Sequence, residues 1–256
     1  MTLAARRVAL VTGGGRGIGR AIALALAREG CDVAVGGRTR APLEETAAAA
    51  RHLGARALPV VLDVGGPASI AGAVAETVAT LGPVDVLVNN AGVAESAPLA
   101  KTGLELWERH MSVNARGPYL LTRAVLPGML ERRWGRVINV ASLAGLVGSP
   151  YVTAYTASKH ALVGFTRALA MEVGGKGVTV NAICPGYVAT DLVWNAARNI
   201  EAKTGTSFEE AVEALAKLNP GGRLLEPAEV AAVAARLLHA DATNGETLVL
   251  DGTPTP

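Results

Sequence analysis

The chain has 256 residues, half of them hydrophobic and only 4% aromatic, which suits one α/β core of Ala, Val and Leu better than a β-sandwich. Its formal net charge of +2 comes with 24 basic residues scattered along the chain, so neither a polyanion-binding function nor a nucleic-acid partner is expected. Cys31 and Cys184 are far apart without metal-ligand spacing, no apolar run approaches the ~18 residues of a membrane span, and Met1 to Arg7 carries no apolar signal core; buried thiols, no metal, no membrane and a cytoplasmic location are expected.

In chain order, the first short β-branched run is Val8 to Thr12, followed by "TGGGRGIGRAIALALAREG". Gly13, Gly17 and Gly19 there allow a tight turn and close approach to a pyrophosphate, which free N–H groups at the start of the next helix would meet. The spacing is not the general GxGxxG fingerprint, and Arg20-Ala21 stands where a P-loop needs Lys-Ser/Thr, so nucleoside triphosphate hydrolysis is disfavoured. The second run, Val33 to Val35, leads into Gly36-Gly37-Arg38-Thr39-Arg40. A site for NAD would carry a carboxylate at that strand end. Arg38 stands there instead, and with Arg16 it could grip a 2′-phosphate bidentately, so NADP(H) is preferred over NAD(H). Asp32 comes too early to substitute.

Further runs follow at Leu58 to Leu62, Val84 to Val88, Val137 to Val140, Val178 to Ile183 and Leu248 to Leu250, with amphipathic stretches of helical length between them. This repeated βαβ pattern predicts right-handed crossovers and seven strands in one doubly wound parallel sheet, a single α/β domain over residues 1–256. Regular alternation fails at Asp191 to Gly222, where the helical segment "EEAVEALAKL" is inserted after the sixth strand. An insertion at a strand's carboxyl end overhangs the ligand crevice, so 191–222 is expected to be a substrate lid.

Four motifs stand in order: "TGGGRGIG" from Thr12, "NNAG" from Asn89, Ser142 after "RVINVA", and "YTASK" from Tyr155, thirteen positions beyond the serine. The set resembles the short-chain dehydrogenase/reductase family over essentially the whole chain. "YTASKHALVGFTRAL" and "CPGYVATD" are most similar in wording to β-ketoacyl and polyketide ketoreductases and related hydroxyacyl or aromatic-alcohol dehydrogenases. The resemblance implies a Rossmann-like sheet of order 3-2-1-4-5-6-7 and interconversion of a ketone and a secondary alcohol by transfer of the pro-S hydride. The catalytic set it implies is Asn114, Ser142, Tyr155 and Lys159.

The chemistry agrees with that set. Hydride addition to a carbonyl leaves an alkoxide that a positioned acid must protonate. A phenol of ordinary pKa about 10 needs a nearby cation to lower it. Lys159 is one helical turn from Tyr155, on the same face. Ser142, at a strand's carboxyl end, would orient the substrate oxygen. Asn114, in "MSVNARG", matches the family asparagine that holds a water beside the lysine, and a kink is expected there.

For the cofactor, the resemblance carries over Thr12, Gly13, Gly15, Arg16, Gly17, Ile18 and Gly19 of the first turn, then Gly37, Arg38 and Thr39 after the second strand. It adds Asp63 and Val64 at the adenine and Asn90, Ala91 and Gly92 at the adenine ribose. Tyr155 and Lys159 face the nicotinamide ribose, and Pro185, Gly186, Val188 and Thr190 wrap the nicotinamide. Crevice residues expected to meet substrate are Ser142, Leu143, Ala144, Val152, Tyr155, Tyr187, Val193 and Trp194, mostly apolar, which points to an uncharged or apolar ketone or acyl thioester.

Arg133 and Lys176 fall near positions where acyl-carrier-protein reductases place docking cations, which introduces acyl carrier protein as a partner. A homotetramer is the family habit. The four histidines, His52, His110, His160 and His239, offer no hydrolase base. Two competing readings are a catalytically silent dinucleotide-binding sensor or scaffold, and an NAD-dependent hydroxyacyl or alcohol dehydrogenase.

Overall fold

The computed structural model describes residues 6–253; Met1 to Ala5 of the lead-in to the first strand, and the last three positions of the 1–256 span, lie outside the described residues. In chain order the elements are β1 Val8–Thr12, α1 Gly17–Arg28, β2 Asp32–Gly37, α2 Arg40–His52, β3 Ala57–Val61, α3 Pro67–Leu81 and β4 Val86–Asn89. After these come α4 Leu104–Met111, α5 Gly117–Glu131, β5 Gly135–Val140, α6 Thr153–Val173 and β6 Val178–Pro185. The chain closes with α7 Asp191–Thr204, α8 Phe208–Lys217, α9 Pro227–Leu238 and β7 Thr247–Leu250. The strands form one parallel sheet of order β3-β2-β1-β4-β5-β6-β7.

Both faces of this sheet are covered, which is why its strands read as continuous apolar runs. Alternation along β1 divides the core: Ala9 and Val11 pack with α1, α2 and α9, whereas Val8 and Leu10 pack with α3, α5 and α6. Leu87 of β4 joins the second layer and Val86 and Val88 the first. Cys31 and Cys184 are buried free thiols. Burial pushes the Cys31 thiol up to about 11, with the charge of Asp85 acting in the same direction. Among the described residues no helix is long and apolar enough to cross a membrane.

At the amino ends of the strands, buried carboxylates are paired. Asp32 accepts from the Arg56 amide at 2.8 Å and its Nε at 2.7 Å, and meets Arg6 at 3.2 Å. Asp85 accepts from the Val8 amide at 3.0 Å and from Arg132 at 3.3 Å. Asp32 therefore lies at the end of β2 opposite Arg38 and has a structural role. The carboxyl ends are left for the site.

The 191–222 insertion holds two helices, α7 and α8, rather than the single helical segment expected there. They build a small core of their own from Val193, Ala197, Ala211 and Leu215. Helix α8 opens with a capping box, Ser207 and Glu210 bonding each other's backbone amides.

Candidate active site

The turn after β1 is built for close backbone approach. Gly13 has φ +64°, in the left-handed region, and a Cβ on Gly19 would lie 2.2 Å from the Gly13 carbonyl oxygen. No side chain caps α1, so its first amides are left for an anion. These features fit a dinucleotide's phosphates. Thr12 stands behind the turn rather than in it: its buried hydroxyl accepts from the amides of Asn90 at 2.9 Å and Ala91 at 3.0 Å and donates to the Val88 carbonyl at 3.2 Å. Asn90 returns a bond from Nδ2 to the Thr12 carbonyl at 2.8 Å. This pairing ties the glycine turn to "NNAG".

Arg38 and Thr39 are exposed beyond β2, and Asp63 is exposed beyond β3, where its carboxylate accepts from the Gly65 amide at 2.9 Å. Buried Val64 follows it. Arg16 departs from the expectation of a joint grip with Arg38, because its guanidinium bonds Asp191 at 3.1 Å, at the start of α7. Thr190, beside it, has its Cγ2 3.2 Å from where a Cβ on Gly17 would stand. The glycine turn and the segment Pro185–Thr190 thus face each other across one crevice.

Ser142 follows β5, and its Oγ accepts from the Ala144 amide at 3.1 Å, starting a turn of 3₁₀ helix over Leu143–Gly145. Tyr155 lies in the first turn of α6 and Lys159 in the next, with Nζ 5.8 Å from the Tyr155 ring centroid. The lysine is buried and its Nζ donates to the Val140 carbonyl at 2.8 Å. Burial lowers the ammonium to about 8. The Tyr155 phenol, expected to be acidified by the lysine, is instead raised: burial disfavours the phenolate, while the Ser142 side chain acts in the opposite, weaker sense.

Asn114 is fully buried in a single π-helical turn, Ser112–Arg116, joining α4 to α5; this is the kink expected of it. Its Oδ1 accepts from the Val93 amide at 2.9 Å, and its Nδ2 donates to the Val93 carbonyl at 2.9 Å and to Ser158 Oγ at 3.0 Å. Ser158 then donates to the Tyr155 carbonyl at 2.7 Å. A Cβ on Gly92 would be 3.3 Å from Asn114 Oδ1 and 3.7 Å from Lys159 Nζ, so Asn114, Gly92, Lys159 and Tyr155 occupy one corner.

A family model described as short chain dehydrogenase matches residues 7–201. The chain belongs to that family. It is 39% identical over 250 residues to a 3-oxoacyl-(acyl-carrier-protein) reductase of Vibrio cholerae, covering 96% of each chain. It is 38% identical over 229 residues to a D-beta-hydroxybutyrate dehydrogenase of Cupriavidus necator, covering 89% of each. A solved structure of a single-site variant of actinorhodin polyketide ketoreductase with NADPH superposes with a TM-score of 0.93 at 39% identity over 98% of both chains. As a short-chain dehydrogenase the protein is an oxidoreductase, and the crevice over the glycine turn is where a nicotinamide dinucleotide fits.

Of the residues expected to meet substrate in this dehydrogenase, Leu143, Ala144, Val152 and Tyr187 are partly exposed, and Leu143 Cδ1 is 3.2 Å from where a Gly186 Cβ would stand. Val193 is 2% exposed and packs inside the α7–α8 core. Trp194 packs against the same core, 6.4 Å from the Phe208 ring. Pro185 and Val188 are buried in the frame around Gly186.

Three residues have contacts at the site that the sequence did not foretell. Ser158 links Asn114 to Tyr155. Buried Asn219 accepts from the Tyr187 amide at 2.8 Å and donates to its carbonyl at 2.9 Å. His110, also buried, stands edge-on to Tyr155 with ring centroids 6.3 Å apart. No motif marks Asn219 or His110, because each acts by closing a backbone bond to a segment far along the chain.

Proposed function

We propose that the protein is an NADP(H)-dependent reductase converting a ketone into a secondary alcohol, with a β-ketoacyl thioester, a polyketide-like chain or an aromatic or apolar ketone as substrate. The observation that carries this reading is the gathering of Ser142, Tyr155 and Lys159 in one corner after β5, where Lys159 holds the Val140 carbonyl. The bound cofactor supplies the hydride for the carbonyl carbon. Tyr155, kept neutral by burial, gives its hydroxyl proton to the carbonyl oxygen, and Ser142 donates a hydrogen bond to the same oxygen as charge grows. The Lys159 ammonium stabilises the phenolate left behind. Asn114 holds the frame by joining Val93 to Ser158.

Arg38, exposed after β2 with no carboxylate beside it in the sequence, supports preference for a 2′-phosphate. Arg16, held by Asp191, leaves Arg38 as the principal contact; the NAD-dependent dehydrogenase reading draws its support from this and from the hydroxybutyrate relative. We take 191–222 as a lid over this crevice in a single-domain chain.

Carrier docking and tetramer formation belong to the same proposal, supported by the reductase relative and by exposed Tyr119 on α5 and Met171 on α6. Arg133 and Lys176, however, precede β5 and β6 at the amino ends of the strands. Light scattering after size exclusion measures the oligomer.

The test is oxidation of NADPH and NADH by the purified protein with β-ketoacyl thioesters, aryl ketones and steroids. Turnover with NADPH on at least one class is expected; no turnover of any ketone with either cofactor overturns the reading and leaves a silent binding protein.

A further inference from the structure

The segment between Gly92 and Ala97 runs from the Lys159 corner to the loop before α6, and it is pinned at every second residue. Val93 is held through both its amide and its carbonyl by Asn114. The Glu95 amide donates to His110 Nε2 at 3.2 Å, and the Ala97 amide donates to the Tyr151 carbonyl at 2.8 Å. Tyr151 reaches that position with φ +66°, a left-handed backbone that a tyrosine holds only when its surroundings demand it.

The central pin is chemically specific. His110 Nδ1 faces the Leu106 carbonyl at 2.8 Å, so it carries the proton, and Nε2 then has the lone pair that Glu95 N–H requires. One neutral tautomer satisfies both partners; a doubly protonated ring has nothing to accept with. The ring is 0% exposed and meets the Tyr155 ring edge-on at 76°. Such a buried histidine, dismissed as a base in the sequence, has a different use. Backbone pairing by a side chain from the neighbouring helix fixes an irregular segment that no strand partner holds.

We propose that His110 is a positioning residue of the active site: as the Nδ1–H tautomer it holds the 92–97 segment as a fixed crevice wall and braces the Tyr155 ring, so that a ketone is oriented against the phenol. This inference rests on the reductase reading given above.

His110→Leu is expected to raise KM for the ketone by about tenfold, because a displaced wall misorients substrate, while the dissociation constant for NADPH changes by less than about twofold. His110→Gln, whose side-chain oxygen can accept from Glu95, is expected to recover most of the loss. Glu95→Pro removes the amide proton from the backbone and should reproduce the KM rise. Glu95→Ala keeps that proton while losing the ion pair with Arg109, and should stay near wild type. This second pair needs no change to the buried ring and decides the matter if His110→Leu does not fold.

Two readouts need no turnover: the 15N shifts of His110, expected to show protonated Nδ1, and amide exchange at Glu95, expected to accelerate in His110→Leu. Protonated Nε2, equal KM values for Glu95→Pro and Glu95→Ala, or loss of cofactor affinity in step with KM would each overturn the proposal. If no ketone is reduced but the tautomer and exchange results hold, the reductase reading fails and the wall remains.

Discussion

Tyr155 and Lys159 share one corner, and desolvation opposes charge on both: the phenol is pushed up and the ammonium down to about 8. A phenol held neutral is already in the form that ketone reduction consumes. The ammonium is the form that stabilises its conjugate base, and it is lost as pH rises through about 8. The rate of reduction at low ketone concentration should therefore be level on the acid side and fall above about pH 8; Lys159→Arg, which stays charged, should move that fall upward, as initial rates from about pH 6 to 10 would show.

The same shift affects folding. The unfolded lysine keeps its proton up to its ordinary 10.5, so the folded state bears the full penalty below about 8 and loses it as pH rises between the two values. Tyr155→Phe removes the acid without disturbing the glycine turn. Turnover should drop by about 10²–10⁴-fold with NADPH affinity nearly unchanged, measured by steady-state rates and cofactor fluorescence. Arg38→Asp should move preference toward NADH, and the ratio of kcat/KM for the two cofactors checks it.

At the scale of elements, the crevice is closed by contacts between segments that are distant in sequence. Asp191, the first residue of α7, holds Arg16 of the glycine turn at 3.1 Å, with both side chains largely exposed. Exposed pairs of this kind contribute about 0–1 kcal/mol, so Asp191→Asn should speed cofactor release by no more than about fivefold, which stopped-flow displacement would read. Asn219 has greater leverage because it is buried and grips both polar groups of Tyr187. Its replacement by Leu leaves the Tyr187 amide without its partner, at about 1–3 kcal/mol, while the Tyr187 carbonyl keeps the Leu225 amide at 2.9 Å.

Helix α7 is invisible as a separate element in the sequence. Its apolar stripe, Val193, Ala197 and Ile200, buries its face only against α8. The capping box of α8, by contrast, is local and open to reading from the residues alone.

For the molecule as a whole, stability comes from a sheet buried on both faces. Leu87, fully buried in the central strand β4, is expected to cost about 2–5 kcal/mol on replacement by Ala, seen as a fall in Tm of about 5–15 °C by thermal unfolding. The number of strands and their parallel crossovers were legible in the sequence, because apolar runs alternating with amphipathic stretches are local signals repeated along the chain, whereas the strand order came from the family resemblance.

The set Asn114, Ser142, Tyr155 and Lys159 came from the family resemblance, and the structure brings these residues close together in one part of the fold. Tertiary structure alone decided the sign of the Tyr155 shift, the pairing of Arg16 with Asp191, the packing of Val193 in the α7–α8 core and the hydrogen bond from the Glu95 amide to His110. Each depends on burial or on a partner distant along the chain, and neither desolvation nor a long-range hydrogen bond leaves a periodic trace in the order of amino acids.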